Sequence, residues 1–308
     1  MKVLARVLGA AALGAVTALP AAAQAPIDEA RPRFRSSADL VSIQTSVKDR
    51  RGRPLGGLTP ADFEVRDNGE LRPVVSLRSD RRSPVSVAVL LDLSGSMGGS
   101  KMMMARQVFG GLLAQLRDGE DEVALFTFDA GLEERRGFTS DLAQLSGALN
   151  ELRPFGSTSL FDATAATAKQ LAGRSAAHKA IIILTDGVDT SSRLTAPEVS
   201  GLASSIDVPV FVIATMPAID HDPQIASPAR AAATADLRDL AEWTGGRMLF
   251  AGNFLTTAAS AASLVDELRQ QYVLAIEAAA VNEWRRLEVR VVKDRNVTVK
   301  ARSGYFGG

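Results

Sequence analysis

Asp92, Ser94 and Ser96 stand at alternate positions in LLDLSGSMGGSK (Leu90 to Lys101), where an apolar run stops at a carboxylate and two hydroxyls. A second apolar run, Ile181 to Leu184, stops in the same way at Thr185-Asp186-Gly187. Between them, the glycine-containing loop Phe155-Gly156-Ser157-Thr158-Ser159 presents another hydroxyl, Thr158. All five candidate groups are oxygen donors, with no thiolate or imidazole. If the two aspartates share one edge of a sheet, each raises the other's pKa, and a divalent cation removes that cost. Oxygen-only donors favour a hard ion, Mg²⁺ first and then Mn²⁺ or Ca²⁺. Asp92, Ser94, Ser96, Thr158 and Asp186 are therefore the expected ligands. They would hold an ion without enclosing it, leaving room for water or a bound molecule.

Other chemistries fit these residues less well. Ser94 and Ser96 could simply cap the following helix, with the aspartates binding nothing. A phosphate-binding loop requires its lysine to follow the second glycine, and Lys101 follows Ser100 instead. Neither serine lies in G-x-S-x-G, so the nucleophile turn of a serine hydrolase is absent. The sequence holds only two histidines. His178, just before an apolar run, reads as a solvated loop residue. His221 lies in Asp220-His221-Asp222, where three adjacent residues do not easily converge on one ion. That loop follows the run Val208 to Thr215, so it belongs on the rim that carries Asp92 and Asp186. There it would either help select a partner or serve as a plain loop. Met102-Met103-Met104 face different sides of a helix and read as packing rather than a soft-metal site.

The elements that must position these residues follow from patterning. Val85 to Asp92 is almost continuously apolar, as a strand covered on both faces would be. Further apolar runs occur at Val123 to Asp129, Ala180 to Asp186, Val208 to Thr215 and Arg247 to Phe250. Helix-like stretches lie near 102–117, 140–151, 159–172, 196–206 and 235–244, and a last one at about 256–271. Strands alternating with helices predict an α/β domain with a largely parallel sheet, whose ligands bind beyond the carboxyl ends of the strands.

The flanks are β-rich. Val41, Ile43, Thr45 and Val47 alternate with polar residues. Phe63 to Arg66, the turn Asp67-Asn68-Gly69 and Val74 to Leu77 predict a hairpin. Tyr272, Leu274 and Ile276 alternate, as do Leu287, Val289 and Val291, and then Val297, Val299 and Ala301, with a turn at Lys293 to Asn296. Each flank is small for an independent core. Residues 38–82 and 271–308 are therefore expected to pack as one β-sandwich-like domain, with the α/β domain (84–270) inserted between them. The alternative is two separate β appendages.

Asp92-x-Ser94-x-Ser96, Thr158 and Thr185-Asp186-Gly187 together resemble the metal-ion-dependent adhesion site of von Willebrand factor type A domains, the family of the integrin inserted domain. The resemblance covers roughly residues 84–270, and the five positions match in the family's order. It implies a Rossmann-like domain that binds an acidic side chain of a protein partner through the ion. The flanking segments "DRRGRPLGGLTPADFEVRDNGELRPVVSL" and "LVDELRQQYVLAIEA…LEVRVVKDRNVTVKARSGYF" resemble bacterial secreted proteins related to von Willebrand factor A. Two further classes stand beside an adhesion-type module. One is a scaffold whose ion is only structural. The other is a metal-dependent hydrolase, for which the sequence offers no convincing base and nucleophile.

Whole-chain features bound these readings. The 308 residues are 46% hydrophobic, ample for a packed core. Basic and acidic residues balance at 35 each, and the clusters Arg50 to Arg53 and Arg78 to Arg82 are too short for a nucleic-acid surface. There is no cysteine, which excludes disulfides and thiolate metal sites. Lys2 and Arg6, the apolar stretch Val7 to Leu19 and the small residues Ala21-Ala22-Ala23 predict a signal peptide over 1–23, followed by a linker over 24–37. An uncleaved membrane anchor is the alternative, and no later segment is apolar enough to span a bilayer. Cleavage leaves 33 basic and 35 acidic side chains, a net charge of −2. The expected location is the periplasm or the extracellular space.

Overall fold

The computed structural model describes residues 40–79, 81–216, 224, 226–251, 254–293 and 296–307, with backbone alone for 254–260. The expected signal peptide and linker, and the loop residues Asp220, His221 and Asp222, lie outside the described residues.

The first β segment contributes β1 (Leu40–Lys48), β2 (Phe63–Asp67), β3 (Glu70–Arg72) and β4 (Ser76–Arg78). The α/β domain follows as β5 (Val85–Asp92), α1 (Ser100–Leu113), β6 (Glu122–Phe128), β7 (Leu132–Thr139), α2 (Leu160–Ala172), β8 (His178–Thr185), α3 (Ala196–Ser205), β9 (Val210–Ala214), α4 (Pro228–Trp243), β10 (Met248–Phe250) and α5 (Phe254–Arg269). The last segment adds β11 (Tyr272–Glu277), β12 (Trp284–Val291), β13 (Thr298–Ala301) and β14 (Gly304–Phe306).

The central sheet has the order β10-β9-β8-β5-β6-β7. Every pairing in it is parallel except that of the edge strand β7 with β6. Alternation along each strand divides its side chains between two cores. Val87, Val89 and Leu91 pack with Phe109 and Leu112 of α1 and Leu264 and Leu268 of α5. Ala88 and Leu90 pack on the other face with Leu160 and Leu171 of α2, Val199 of α3 and Leu240 of α4. Both faces are covered, so the strands read as continuous apolar runs rather than alternating ones.

The flanking segments interleave in two antiparallel four-stranded sheets, β13-β1-β11-β4 and β14-β12-β2-β3. β1 lies between two strands of the last segment, pairing Ile43 with Leu274 and Val47 with Val299. β2 pairs Val65 with Val289. Ile43, Val65, Tyr272, Leu274, Leu287 and Tyr305 share one core, which joins the two segments into a sandwich around the inserted domain.

Several local expectations are corrected. The hairpin partner of β2 is β3, across Asn68-Gly69, not Val74 to Leu77. The latter stretch supplies β4, which crosses to the other sheet and pairs with β11. β12 and β13, expected to meet across a turn, lie in different sheets. Residues 140–151 are no α-helix. A 3-10 turn over Leu142–Leu145 ends at the extended Ser146, and Gly147 then takes a positive φ of 80°. The leucines that gave the helical pattern, Leu142, Leu145 and Leu149, are buried nonetheless. α4 starts at Pro228, earlier than the apolar pattern showed, with Ser227 accepting the Arg230 N–H as its cap. His178 is not solvated: it opens β8 opposite Val85 and is buried.

Candidate metal centre

β5 and β8 are adjacent and parallel, so Asp92 at the end of β5 and Asp186 just after β8 emerge on one edge of the sheet. β5 has β6 on one side and β8 on the other. The chain order reverses there, and such a crevice is where ligands bind in open α/β sheets.

Asp92 is completely buried. Its Oδ1 accepts the Ser94 N–H at 2.8 Å, and its Oδ2 accepts the Thr185 hydroxyl at 2.6 Å. Thr185 Oγ1 in turn accepts the Gly187 N–H at 3.0 Å. Gly187 has a φ of 102°, which a side chain would oppose, so the turn after β8 can curl back to make this bond. Burial raises the Asp92 pKa to about 6, opposed by the bonds from Thr185 and Ser94 and reinforced by the nearby charge of Asp186.

Ser94, Gly95 and Ser96 run through a short 3-10 turn. The Ser94 and Ser96 hydroxyls lie 3.1 Å apart, and Ser96 Oγ donates to Asp186 Oδ1 at 3.1 Å. A hydroxyl that gives its proton to a carboxylate keeps its lone pairs for a cation. Asp186 is 1% exposed. Its Oδ2 accepts Lys101 Nζ at 2.6 Å, and its backbone carbonyl accepts Arg230 Nη1 at 2.9 Å.

Thr158 is buried in the loop before α2. That loop is pinned to the Ser94 turn by Phe155 N–H to Leu93 O and Gly95 N–H to Gly156 O, at 2.6 and 3.1 Å. Residues 189–192 hold it from the other side. Thr190 Oγ1 accepts the Thr158 N–H at 2.9 Å, and the Thr190 and Ser191 N–H groups donate to Thr158 O. Ser192 Oγ accepts the Phe161 and Asp162 N–H groups and so caps α2 from outside the helix. Asp92, Ser94, Ser96 and Asp186 thus form one hydrogen-bonded cluster with Thr185. Thr158 sits in the loop bonded against it.

The buried acid at the opposite end of the sheet makes a useful contrast. Asp121, before β6, is bonded by Arg269 and by the Arg117 and Val85 N–H groups. Those partners hold its carboxyl below the ordinary range although burial opposes them. Asp92 has hydroxyl and amide partners but no cationic one among the described residues. The donor set therefore fits a hard divalent ion: two carboxylates and several hydroxyls, with one acid neither ion-paired nor solvated. No three His, Cys, Asp or Glu side chains cluster as a metal site among the described residues, so an ion here must draw on hydroxyls.

The sequence marks the five candidate ligands, with Thr185 in the same motif, but not the supporting roles of Thr185, Ser192, Lys101 and Arg230. Thr185 adjoins Asp186 in the sequence, and Ser192 lies in the loop that follows it. Lys101 was weighed only as a phosphate ligand. Arg230 approaches from α4, and nothing local in the sequence signals it.

Residues 87–188, which include all five candidate ligands, match a family model described as von Willebrand factor type A domain. No curated protein matches the sequence. Among solved structures the chain is similar to proximal thread matrix protein 1 from the mussel byssus, in a form with a zinc-occupied MIDAS motif. That likeness has 15% identity over 66% of this chain and 49% of the other, with a TM-score of 0.52. BatB from Bacteroides thetaiotaomicron matches at 17% identity over 59% of this chain and 98% of its own, TM-score 0.48. The D319A mutant of the PilB minor pilin from Streptococcus sanguinis matches at 14% identity over 61% and 62%, TM-score 0.47. The chain thus spans about half of the mussel protein and under two thirds of the pilin. At these identities the likeness concerns the fold.

Proposed function

We propose that this protein, which carries a von Willebrand factor type A domain, is an exported, metal-dependent protein-binding module. Asp92, Ser94, Ser96, Thr158 and Asp186 hold one divalent ion, Mg²⁺ first, some of them through water. An Asp or Glu side chain of a partner protein completes the coordination. The observation that carries this reading is the cluster at the carboxyl ends of β5 and β8. There a fully buried Asp92 meets only hydroxyl and amide donors, and Ser94 and then Ser96 link it to a second buried acid.

The charge argument continues from that cluster. Two carboxylates cancel the charge of the ion but leave a Lewis acid at the rim, where an anionic oxygen displaces water more favourably than a neutral one. The partner is thereby chosen by an acidic side chain rather than by a basic surface for nucleic acid. The signal peptide read over 1–23 supports export to the periplasm or beyond. No helix among the described residues is long and apolar enough to cross a membrane. The role proposed is non-enzymatic, and His178 is buried at the start of β8, at the end of the sheet away from Asp92.

Titration calorimetry of the mature protein with MgCl₂ and MnCl₂ tests the ion. One bound ion is expected, lost in Asp92→Ala and Asp186→Ala, and no heat at millimolar metal would refute the reading. Affinity capture from the native secreted fraction in Mg²⁺ or EDTA tests its use. Partner capture that survives EDTA would leave the ion a structural role only.

A further inference from the structure

The site carries a cation of its own. Lys101, in the first turn of α1, places Nζ 2.6 Å from Asp186 Oδ2 and 2.9 Å from the Ser96 carbonyl oxygen. The Asp186 side chain is 2% exposed and that of Lys101 is 25% exposed, so the ammonium reaches in from the rim on a stem that borders solvent. Asp186 Oδ1 is meanwhile bonded by Ser96. Both oxygens of this carboxylate thus serve contacts within the rim.

We infer that Lys101 competes with the divalent ion for Asp186 and thereby sets the metal affinity of the site. The inference rests on the proposed metal reading and goes beyond it, because it assigns a role to a residue outside the ligand set. The argument is one of charge. Asp92 and Asp186 bring two negative charges, and Lys101 already returns one positive charge to the cluster. The Arg230 guanidinium lies on the Asp186 carbonyl and adds a second cation nearby. A divalent ion that entered with Lys101 still in place would meet an ammonium bonded to its own ligand. Ion binding therefore requires Lys101 to leave Asp186, and the apparent metal affinity is lowered by the fraction of molecules in which that contact is open. Leaving is feasible because the stem is partly in solvent and the ammonium regains its hydration there. The contact keeps the Asp186 carboxylate paired when metal is scarce and raises the concentration of divalent ion needed to load the site.

Calorimetry with MgCl₂ on the full mature chain tests this, comparing wild type with Lys101→Met, Lys101→Gln and Lys101→Arg. Met and Gln keep the stem and remove the charge. Both should bind Mg²⁺ about three- to fivefold more tightly, the upper end of the scale of one partly exposed ion pair. Arg keeps the charge and should stay within about twofold of wild type. The gain in Met and Gln should shrink in high salt, which screens a charge at the rim. Melting in EDTA should show Lys101→Met less stable than wild type, with a larger upward shift on adding Mg²⁺. Equal or weaker Mg²⁺ binding by both uncharged variants would overturn the competition while leaving the metal site standing. Absence of binding in all four proteins would instead overturn the metal reading itself, and this inference with it.

Discussion

If Asp92 holds the proposed ion, metal binding should depend on pH. Its pKa is raised to about 6, chiefly by burial. A proton therefore competes with the ion for this carboxylate at mildly acidic pH. Above about pH 6 the competition vanishes, and below it metal affinity should fall about tenfold per pH unit, as for a single competing proton. The sign for stability is opposite. The folded state holds this proton more tightly than the unfolded one, so in EDTA this group makes the protein less stable as pH rises from the ordinary aspartate range to about 6. Calorimetry from about pH 5 to 8 checks the first direction, and melting in EDTA from about pH 4 to 7 checks the second. A flat affinity profile would show that no proton competes with the ion at Asp92 in this range, and that burial does not raise its pKa as far as about 6. Thr185 is the residue that orients Asp92, donating to Oδ2 at 2.6 Å while accepting the Gly187 N–H. Thr185→Val keeps the shape and removes both bonds. Partners that orient metal ligands are typically worth about 10- to 100-fold in metal affinity, so a loss in that range is expected. An unchanged affinity would show that the Ser94 amide alone positions the carboxylate.

At the scale of elements, the legibility of the sequence followed burial. β5 and β8 were readable because both faces are covered and their residues are uniformly apolar. β1 and β11 were readable because Val41, Ile43 and Val47, and Tyr272, Leu274 and Ile276, alternate along the chain and face one core, although the residues between them are largely buried as well. β7 was not, because it is an edge strand whose centre, Glu133 to Arg136, is charged and exposed. Its pairing with β6 is irregular as well. Such an edge is protected from further pairing by its charges, and the same charges hide it from a hydrophobic pattern. β4 was read as a strand but given the wrong partner, since a three-residue strand does not show which sheet it will join. The five candidate ligands could be named because they lie at or just beyond the ends of β5 and β8 and in the loop before α2. The loop 189–192 was not, because its role is to bond a distant backbone. Ser192→Ala measures that role. It removes the acceptor for the Phe161 and Asp162 N–H groups at the start of α2. The loss of one helix cap should cost about 1 kcal/mol in urea unfolding, with weaker Mg²⁺ binding because the Thr158 loop is less firmly held. An effect on metal without one on stability would mean that Asp189, which also accepts from Phe161, caps the helix alone.

For the whole molecule, the sandwich and the α/β domain are joined by buried charge as well as by chain connection. Glu267 of α5 accepts from Lys48 and Ser46 of β1 and from Arg247 before β10. Burial opposes ionisation of Glu267, and Arg247 and Lys48 outweigh it, so the carboxyl stays below its ordinary range. Arg302, after β13, is buried and donates to the carbonyls of Ser42 in β1 and Ser204 in α3. These contacts make the first and last segments one support for the domain that carries the rim. Deleting 272–308 tests how far that support is shared. It removes both neighbours of β1, namely β11 and β13, and the inner neighbour of β2, namely β12. It also strips Ile43 and Val65 of Leu274, Leu287 and Tyr305 in their common core. A lone strand and a short hairpin cannot hold a fold in water. Hydrogen exchange on the truncated chain should therefore show amides from Val41 to Val47 losing their protection. The central strands Val85–Asp92 and His178–Thr185 keep their own neighbours and both helical layers, so they should retain most of theirs. Unchanged protection across Val41 to Val47 would show that the first β segment folds without the last. Collapse of protection in both central strands would show that the sandwich is a condition for the α/β domain to fold, rather than a platform on which a stable domain presents its metal rim.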